Sequence, residues 1–134
     1  MSPGIGLQLA VVMAGGAIGA AGRFLVGQWL MRHAEGGFPW GTLVVNLLGS
    51  LAAGFLLGVL DERHPQFLWW RLFLMVGVLG GFTTYSALMV EVLLLARAPK
   101  PPLLAAYLAA TLVGGLLLVW VGLRAGLWFA GQRG

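Results

Sequence analysis

Four apolar runs follow one another along the chain, separated by short stretches that carry most of its charge and proline. About 20 apolar residues cross the hydrocarbon core of a bilayer. By that measure the runs predict transmembrane helices over residues 7–30, 41–60, 72–95 and 103–129, joined by loops at 31–38, 61–71 and 96–102. The first loop carries Gly36 and Gly37, the second Pro65, and the third Pro99, Pro101 and Pro102. Proline cannot continue a helix and biases the residue before it away from helical backbone. Trp29, Trp40, Trp69, Trp70 and Trp128 fall at the run ends, where amphipathic rings sit at the membrane interface.

Polar positions inside the runs are few and ordered. Thr42, Asn46, Ser50, Gly54 and Gly58 recur every four residues, which makes one stripe along a helix. An amide in mid-span is costly to leave facing lipid, so Asn46 faces protein or water. It is either glue bonding a neighbouring helix or a pore ligand whose NH2 donates to an anion. Tyr107, Thr111 and Gly115 form a weaker stripe in the fourth run, although a tyrosine near a span end also serves as an interfacial anchor. In the third run, Gly80-Gly81-Phe82-Thr83-Thr84-Tyr85-Ser86 combines a glycine pair with four hydroxyl-bearing residues. Broken backbone at that depth is tolerated only where protein buries it or where it lines a wet cavity, so this is the expected place for an ion site. Gly15 and Gly19, Gly54 and Gly58, Gly77 and Gly81, and Gly122 and Gly126 are small-xxx-small pairs. Such pairs serve equally for packing within a chain or for a seam between chains.

Composition removes the soluble alternative: 60% hydrophobic residues, 9% charged residues and a mean hydropathy of +0.93 cannot cover the surface of a soluble domain. Four spans use up the chain, and the first lacks a basic n-region and exceeds a cleaved signal peptide, so the N-terminus is expected to be retained. There is no cysteine, and His33 and His64 fall in predicted loops; thiolate and metal catalysis are not expected. The net charge of +4 is spread over helix ends and loops, a pattern of interfacial anchors rather than of a nucleic-acid patch. Arg63, Arg71, Arg124 and Arg133 on one side face Arg32, Arg97 and Lys100 on the other. That is almost no positive-inside bias. Such a chain inserts both ways and pairs antiparallel with itself, unless other features fix its topology. Arg23, two turns inside the first run, either snorkels or sits in a water-filled vestibule. Glu91, the one carboxylate within a span, reads as snorkelling or ion-paired. Ser86 has no histidine partner and the glycines lie at packing intervals rather than in a phosphate loop, so an enzyme is not expected.

Taken together, Gly16-Ala17-Ile18-Gly19-Ala20-Ala21-Gly22-Arg23-Phe24, Gly41-Thr42-Leu43-Val44-Val45-Asn46-Leu47-Leu48-Gly49-Ser50 and Gly80-Gly81-Phe82-Thr83-Thr84-Tyr85-Ser86 resemble the Fluc (CrcB) family of fluoride channels over essentially the whole chain. The resemblance implies an all-α membrane protein of four-helix subunits, with the third helix broken mid-membrane, assembled as an antiparallel dual-topology homodimer. Two fluoride pathways would run along the dimer interface, with passive flow expelling fluoride that crosses the membrane as HF and ionises in the cytoplasm. By the same resemblance the third helix breaks at Gly80 to Thr83, and backbone carbonyls of Gly80 and Thr83 from both subunits hold a central structural Na+, a role that suits oxygen ligands and a hard cation. Asn46 matches the pore amide, Arg23 the vestibule arginine, Tyr107 and Thr111 the polar track of the fourth helix, and Thr84, Tyr85 and Ser86 the remaining pathway contacts. Amide, hydroxyls and positive ring edges would replace the water around fluoride.

The chain departs from the family pattern T-T-F-S-T-F, reading Thr83-Thr84-Tyr85-Ser86-Ala87-Leu88. Tyr85 replaces the first pore phenylalanine, and Leu88, which offers no aromatic edge, replaces the second. Gly115 stands in place of a polar-track serine, and Phe82 is not assigned as a substitute ring. A small dual-topology multidrug exporter would need a deep carboxylate in the first helix, and residues 7–30 contain none. A non-conducting scaffold would leave the Asn46 stripe without a purpose. The expected setting is the cell (inner) membrane as a multi-pass protein, with fluoride, a second copy of the chain and the bilayer as partners, and no nucleic acid.

Overall fold

The computed structural model describes residues 4–60, 63–98 and 100–132. Asp61, Glu62 and Arg133 lie outside them, so the loop-side basic count that includes Arg133 is not a structural observation. Among the described residues there are four helices long and apolar enough to cross a membrane: Ile5–His33, Trp40–Val59, Pro65–Arg97 and Pro101–Gly131.

All but the second outrun their apolar runs at both ends, because a helix does not stop where its hydrophobicity does. His33, expected in a loop, closes the first helix with its Nδ1 2.7 Å from the carbonyl of Trp29. Pro101 opens the fourth helix and Pro65 opens a short 3-10 turn into the third span. Proline suits these first-turn positions because the N–H it lacks would have no helical partner there. Between the first two helices, Gly36 and Gly37 adopt φ of 104° and 72°, left-handed backbone that glycine takes without steric penalty.

The third span is not one regular helix. Leu68–Trp70 is α-helical, Arg71–Leu79 has π-helical hydrogen bonding, Gly80–Phe82 is α-helical again, and Tyr85–Arg97 follows after an interruption. The break expected at Gly80 to Thr83 falls later. Gly80 is helical at φ −61° and ψ −36°, whereas Thr83 and Thr84 are extended. The threonines, not the glycines, end the segment. Thr83 donates both its hydroxyl (2.9 Å) and its N–H (3.0 Å) to the carbonyl of Leu79. Thr84 then caps the next helix, its Oγ1 accepting from the Ala87 N–H at 3.3 Å, an ordinary N-cap arrangement. Nothing in the sequence pattern foretold the π-helical stretch, a conformation concentrated at functional sites.

All four glycine pairs are consumed within the subunit. Gly15 and Gly19 of the first helix meet the backbone of the third span at Phe73, Gly77 and Val78, while Gly81 meets Gly16 and Ala20. Gly54 and Gly58 of the second helix meet Val119, Leu123 and Leu127, and Gly122 and Gly126 return the contact at Leu51 and Phe55. First packs on third and second on fourth, backbone against backbone, as small residues permit. Leu43, Leu88, Leu95 and the fully buried Tyr107 form the apolar cluster between the second helix, the second half of the third span and the fourth helix.

Candidate functional site

The interruption in the third span is held by one side chain. Asn46 Nδ2 donates to the carbonyl of Thr84 at 2.9 Å, and the Thr84 N–H donates to Asn46 Oδ1 at 2.8 Å. The amide thus satisfies extended backbone as a neighbouring β-strand would, and so answers the demand that every backbone group within a membrane be paired. It also leaves one amide N–H for a further acceptor. The two readings of Asn46, glue and ligand, are therefore compatible.

Pairing with side chains releases carbonyls. In a continuous helix the Thr84 N–H would serve the carbonyl of Gly80, and the Ala87 N–H that of Thr83. Both donors are taken, by Asn46 Oδ1 and Thr84 Oγ1. Gly80 and Thr83 are thus relieved of their helical donors at adjoining points of the chain.

Two clefts meet at this junction. The first, about 630 Å³, lies beneath the 34–39 connection between the first and second helices and is bounded by Arg23, Thr42, Val45, Thr84, Ala87 and Glu91 among others. The second, about 450 Å³, lies beyond it against Asn46, Ser50, Gly80, Thr83, Thr84, Tyr85, Leu88 and Thr111. Thr84 is the one residue that lines both. Phe82 is not in either lining; its ring sits 3.6 Å from where a Cβ on Gly22 or Gly49 would stand, wedged between the first and second helices.

Glu91 corrects an expectation. Among the described residues its carboxylate is held by hydroxyls rather than by a cation: Thr42 donates to Oε1 at 2.7 Å and Tyr107 to Oε2 at 2.5 Å. The carboxylate is thereby tied to the polar stripe of the second helix and to the fourth helix while bordering the first cleft. Its signal was present in the sequence, since Thr42 heads that stripe, but the partner lies 49 residues away. Tyr107 is likewise no exposed anchor. It is completely buried, its ring edge-on to Phe38 with centroids 5.6 Å apart.

Of the candidate residues, Arg23 and Thr84 line the first cleft, and Asn46, Gly80, Thr83, Thr84, Tyr85 and Thr111 the second. Ser86 and Tyr107 line neither; the Ser86 hydroxyl lies 3.5 Å from that of Thr84, and Tyr107 reaches the first cleft only through Glu91. Tyr85 is 72% exposed, whereas Leu88 is 6% exposed within the apolar cluster. Thr111 Oγ1 is the one buried side-chain polar atom among the described residues that has no hydrogen-bond partner. A buried hydroxyl left so costs about 1–3 kcal/mol.

Comparison with known proteins identifies the family. The family profile described as CrcB-like protein, Camphor Resistance (CrcB), matches residues 10–123. A protein of Xanthomonas euvesicatoria pv. vesicatoria (strain 85-10), named fluoride-specific ion channel FluC, is 49% identical over 125 residues, 93% of this chain and 94% of that one. Proteins of the same name from Xylella fastidiosa (strain 9a5c) and Agrobacterium fabrum (strain C58 / ATCC 33970) are 48% identical over 119 residues and 43% over 120, covering 89% and 90% of this chain and 83% and 96% of their own lengths. With four apolar spans, a break held open by an amide and a profile match over most of its length, the chain belongs to the CrcB family.

Proposed function

We infer that this protein is a fluoride channel, not an enzyme, and that as a multi-pass protein of the inner membrane it lets cytoplasmic fluoride leave down its gradient. The shared name of its relatives supports the ion. The observation that carries the site is Thr111 Oγ1, a buried donor without a partner in the second cleft. A small anion must exchange its water for such donors, and Asn46, whose amide keeps one N–H beyond its bond to Thr84, lines the same cleft. Arg23 in the first cleft would raise the local anion concentration. The hydroxyls of Thr42 and Tyr107 on Glu91 would blunt its repulsion of a passing anion. Thr84, common to both clefts, would mark the passage between them, and the exposed ring of Tyr85 would present its positive edge to the ion. Ser86 and Tyr107 would contribute through Thr84 and Glu91.

The finer reading is a homodimer of antiparallel, dual-topology subunits with a structural Na+ at its centre and two pathways. The exposed Tyr85 and the open second cleft support a second copy completing the site. The carbonyls of Gly80 and Thr83, deprived of their helical donors, fit Na+ as oxygen ligands. When bound, the cation would supply a fixed positive charge tying the broken helices of the two subunits together. The near balance of basic residues supports dual topology. A cysteine introduced near the C-terminus is expected to react with an impermeant reagent from both sides of the membrane; labelling from one side alone would refute it.

The function is tested in liposomes loaded with fluoride or chloride. The wild type is expected to release fluoride and retain chloride. Thr111→Val, nearly isosteric, should slow fluoride release at least tenfold, the loss of one charge-assisted hydrogen bond of roughly 1.5–3 kcal/mol. The same change should leave the fold at least as stable, because it removes an unpaired hydroxyl. Equal chloride release overturns the channel assignment, and undiminished fluoride release from the variant removes Thr111 from the pathway.

A further inference from the structure

The fourth helix carries a cation that the pathway does not use. Arg124 lies within Pro101–Gly131 and is exposed. Gly122 and Gly126, two residues to either side, press on the second helix. Two residues are about 200° around a helix, so Arg124 faces away from that contact. The fourth helix has no acidic residue of its own. A charged side chain within a span normally faces the bundle or a wet cavity, and this one does neither.

Depth and neighbours identify what can meet it. A 31-residue helix is about 46 Å long, so it overruns the roughly 30 Å hydrocarbon core by about 8 Å at each end. Arg124, seven residues before Gly131, stands about 10 Å from that end, just inside the hydrocarbon boundary and within snorkelling reach of the phosphate layer. Trp120 and Trp128 lie one turn deeper and one turn shallower on the same face and are 60% and 69% exposed. Trp128 takes the interfacial position, while Trp120 reaches the depth of acyl chains, which a free anion in water does not share.

We propose that Trp120, Arg124 and Trp128 form a binding site for an anionic phospholipid, the guanidinium holding the phosphate and the two indoles flanking headgroup and acyl chain. Guanidinium matches phosphate with two parallel N–H donors, and tryptophan within reach of the cation adds to its hold. A zwitterionic lipid offers the same phosphate beside a positive charge and binds less tightly.

The test is native mass spectrometry of the purified, assembled protein titrated with phosphatidylglycerol or phosphatidylcholine. The wild type is expected to prefer phosphatidylglycerol by about fivefold or more, the factor that roughly 1 kcal/mol per basic side chain at an anionic surface gives. Arg124→Gln should erase the preference, Arg124→Lys should keep part of it, and Trp120→Leu should weaken it. Arg97→Gln, which removes an exposed cation at the end of the third span, should leave it intact. Equal affinity for both lipids in the wild type, or a preference that survives Arg124→Gln, overturns the proposal. So does an Arg124→Gln protein whose assembled mass falls, since Arg124 would then belong to a protein contact.

Discussion

Asn46→Asp is expected to bring fluoride release below detection. Two effects act together. The new side chain can still accept from the Thr84 N–H but has no N–H for the Thr84 carbonyl, so the 2.9 Å bond at the break becomes an oxygen–oxygen contact. The second effect is larger: a carboxylate about 4 Å from an anion raises its energy by about 4 kcal/mol at an effective dielectric constant of 20, close to a thousandfold in occupancy. Asn46→Ala separates the two, because it loses both hydrogen bonds but adds no charge. It should weaken the fold by about 1–3 kcal/mol for the backbone groups left unpaired and retain more flux than Asn46→Asp. Efflux from liposomes and thermal unfolding in detergent read the two quantities. Flux from Asn46→Asp above that of Asn46→Ala would show that no anion passes near this amide.

The spans and the stripe of the second helix were legible because both are periodic: apolar runs of bilayer length and polar residues every fourth position report directly on a helix and on one of its faces. That Asn46 would face a partner rather than lipid was legible for a related reason, since a mid-span amide has few tolerable environments. The end of the helix was not. The glycine pair at Gly80 looked like the weak point, yet glycine in a span also permits close packing, and Gly81 is spent against Gly16. The helix parts at Thr83 and Thr84, where the Thr84 N–H donates to Asn46 Oδ1, 38 residues earlier in the chain, and local propensity holds no trace of that partner. The same holds for Glu91. A carboxylate near a span end reads as snorkelling until Thr42 and Tyr107 are brought beside it by the packing of three helices. The π-helical turn pattern of Arg71–Leu79 leaves side-chain chemistry unchanged and so leaves no mark in the sequence.

The glycines themselves divide into two kinds, and a pair of variants should separate them. Gly54→Ala places a Cβ against the carbonyl of Val119 in the fourth helix, and neither backbone can yield without parting the seam that Gly58, Gly122 and Gly126 share. Overpacking of a well-filled site costs about 1–3 kcal/mol and occasionally more. With backbone on both sides the upper end applies, and a subunit that unfolds or aggregates in detergent is the expected result. Gly80→Val is the opposite case. Gly80 is exposed, helical, and has nothing within 4 Å of where its Cβ would stand, so the valine should cost the subunit little, since a helix tolerates valine at least as well as glycine and the two differ by under about 1 kcal/mol. Any larger effect must arise between subunits, where a branched side chain beside the proposed Na+ carbonyls would hold the partner away. The expected outcome is a folded protein whose dimer is weakened and whose fluoride flux falls, measured by single-molecule photobleaching in membranes alongside efflux. Wild-type dimer stability and flux would remove Gly80 from the dimer centre, whereas a subunit unfolded by Gly80→Val would contradict the open space around it.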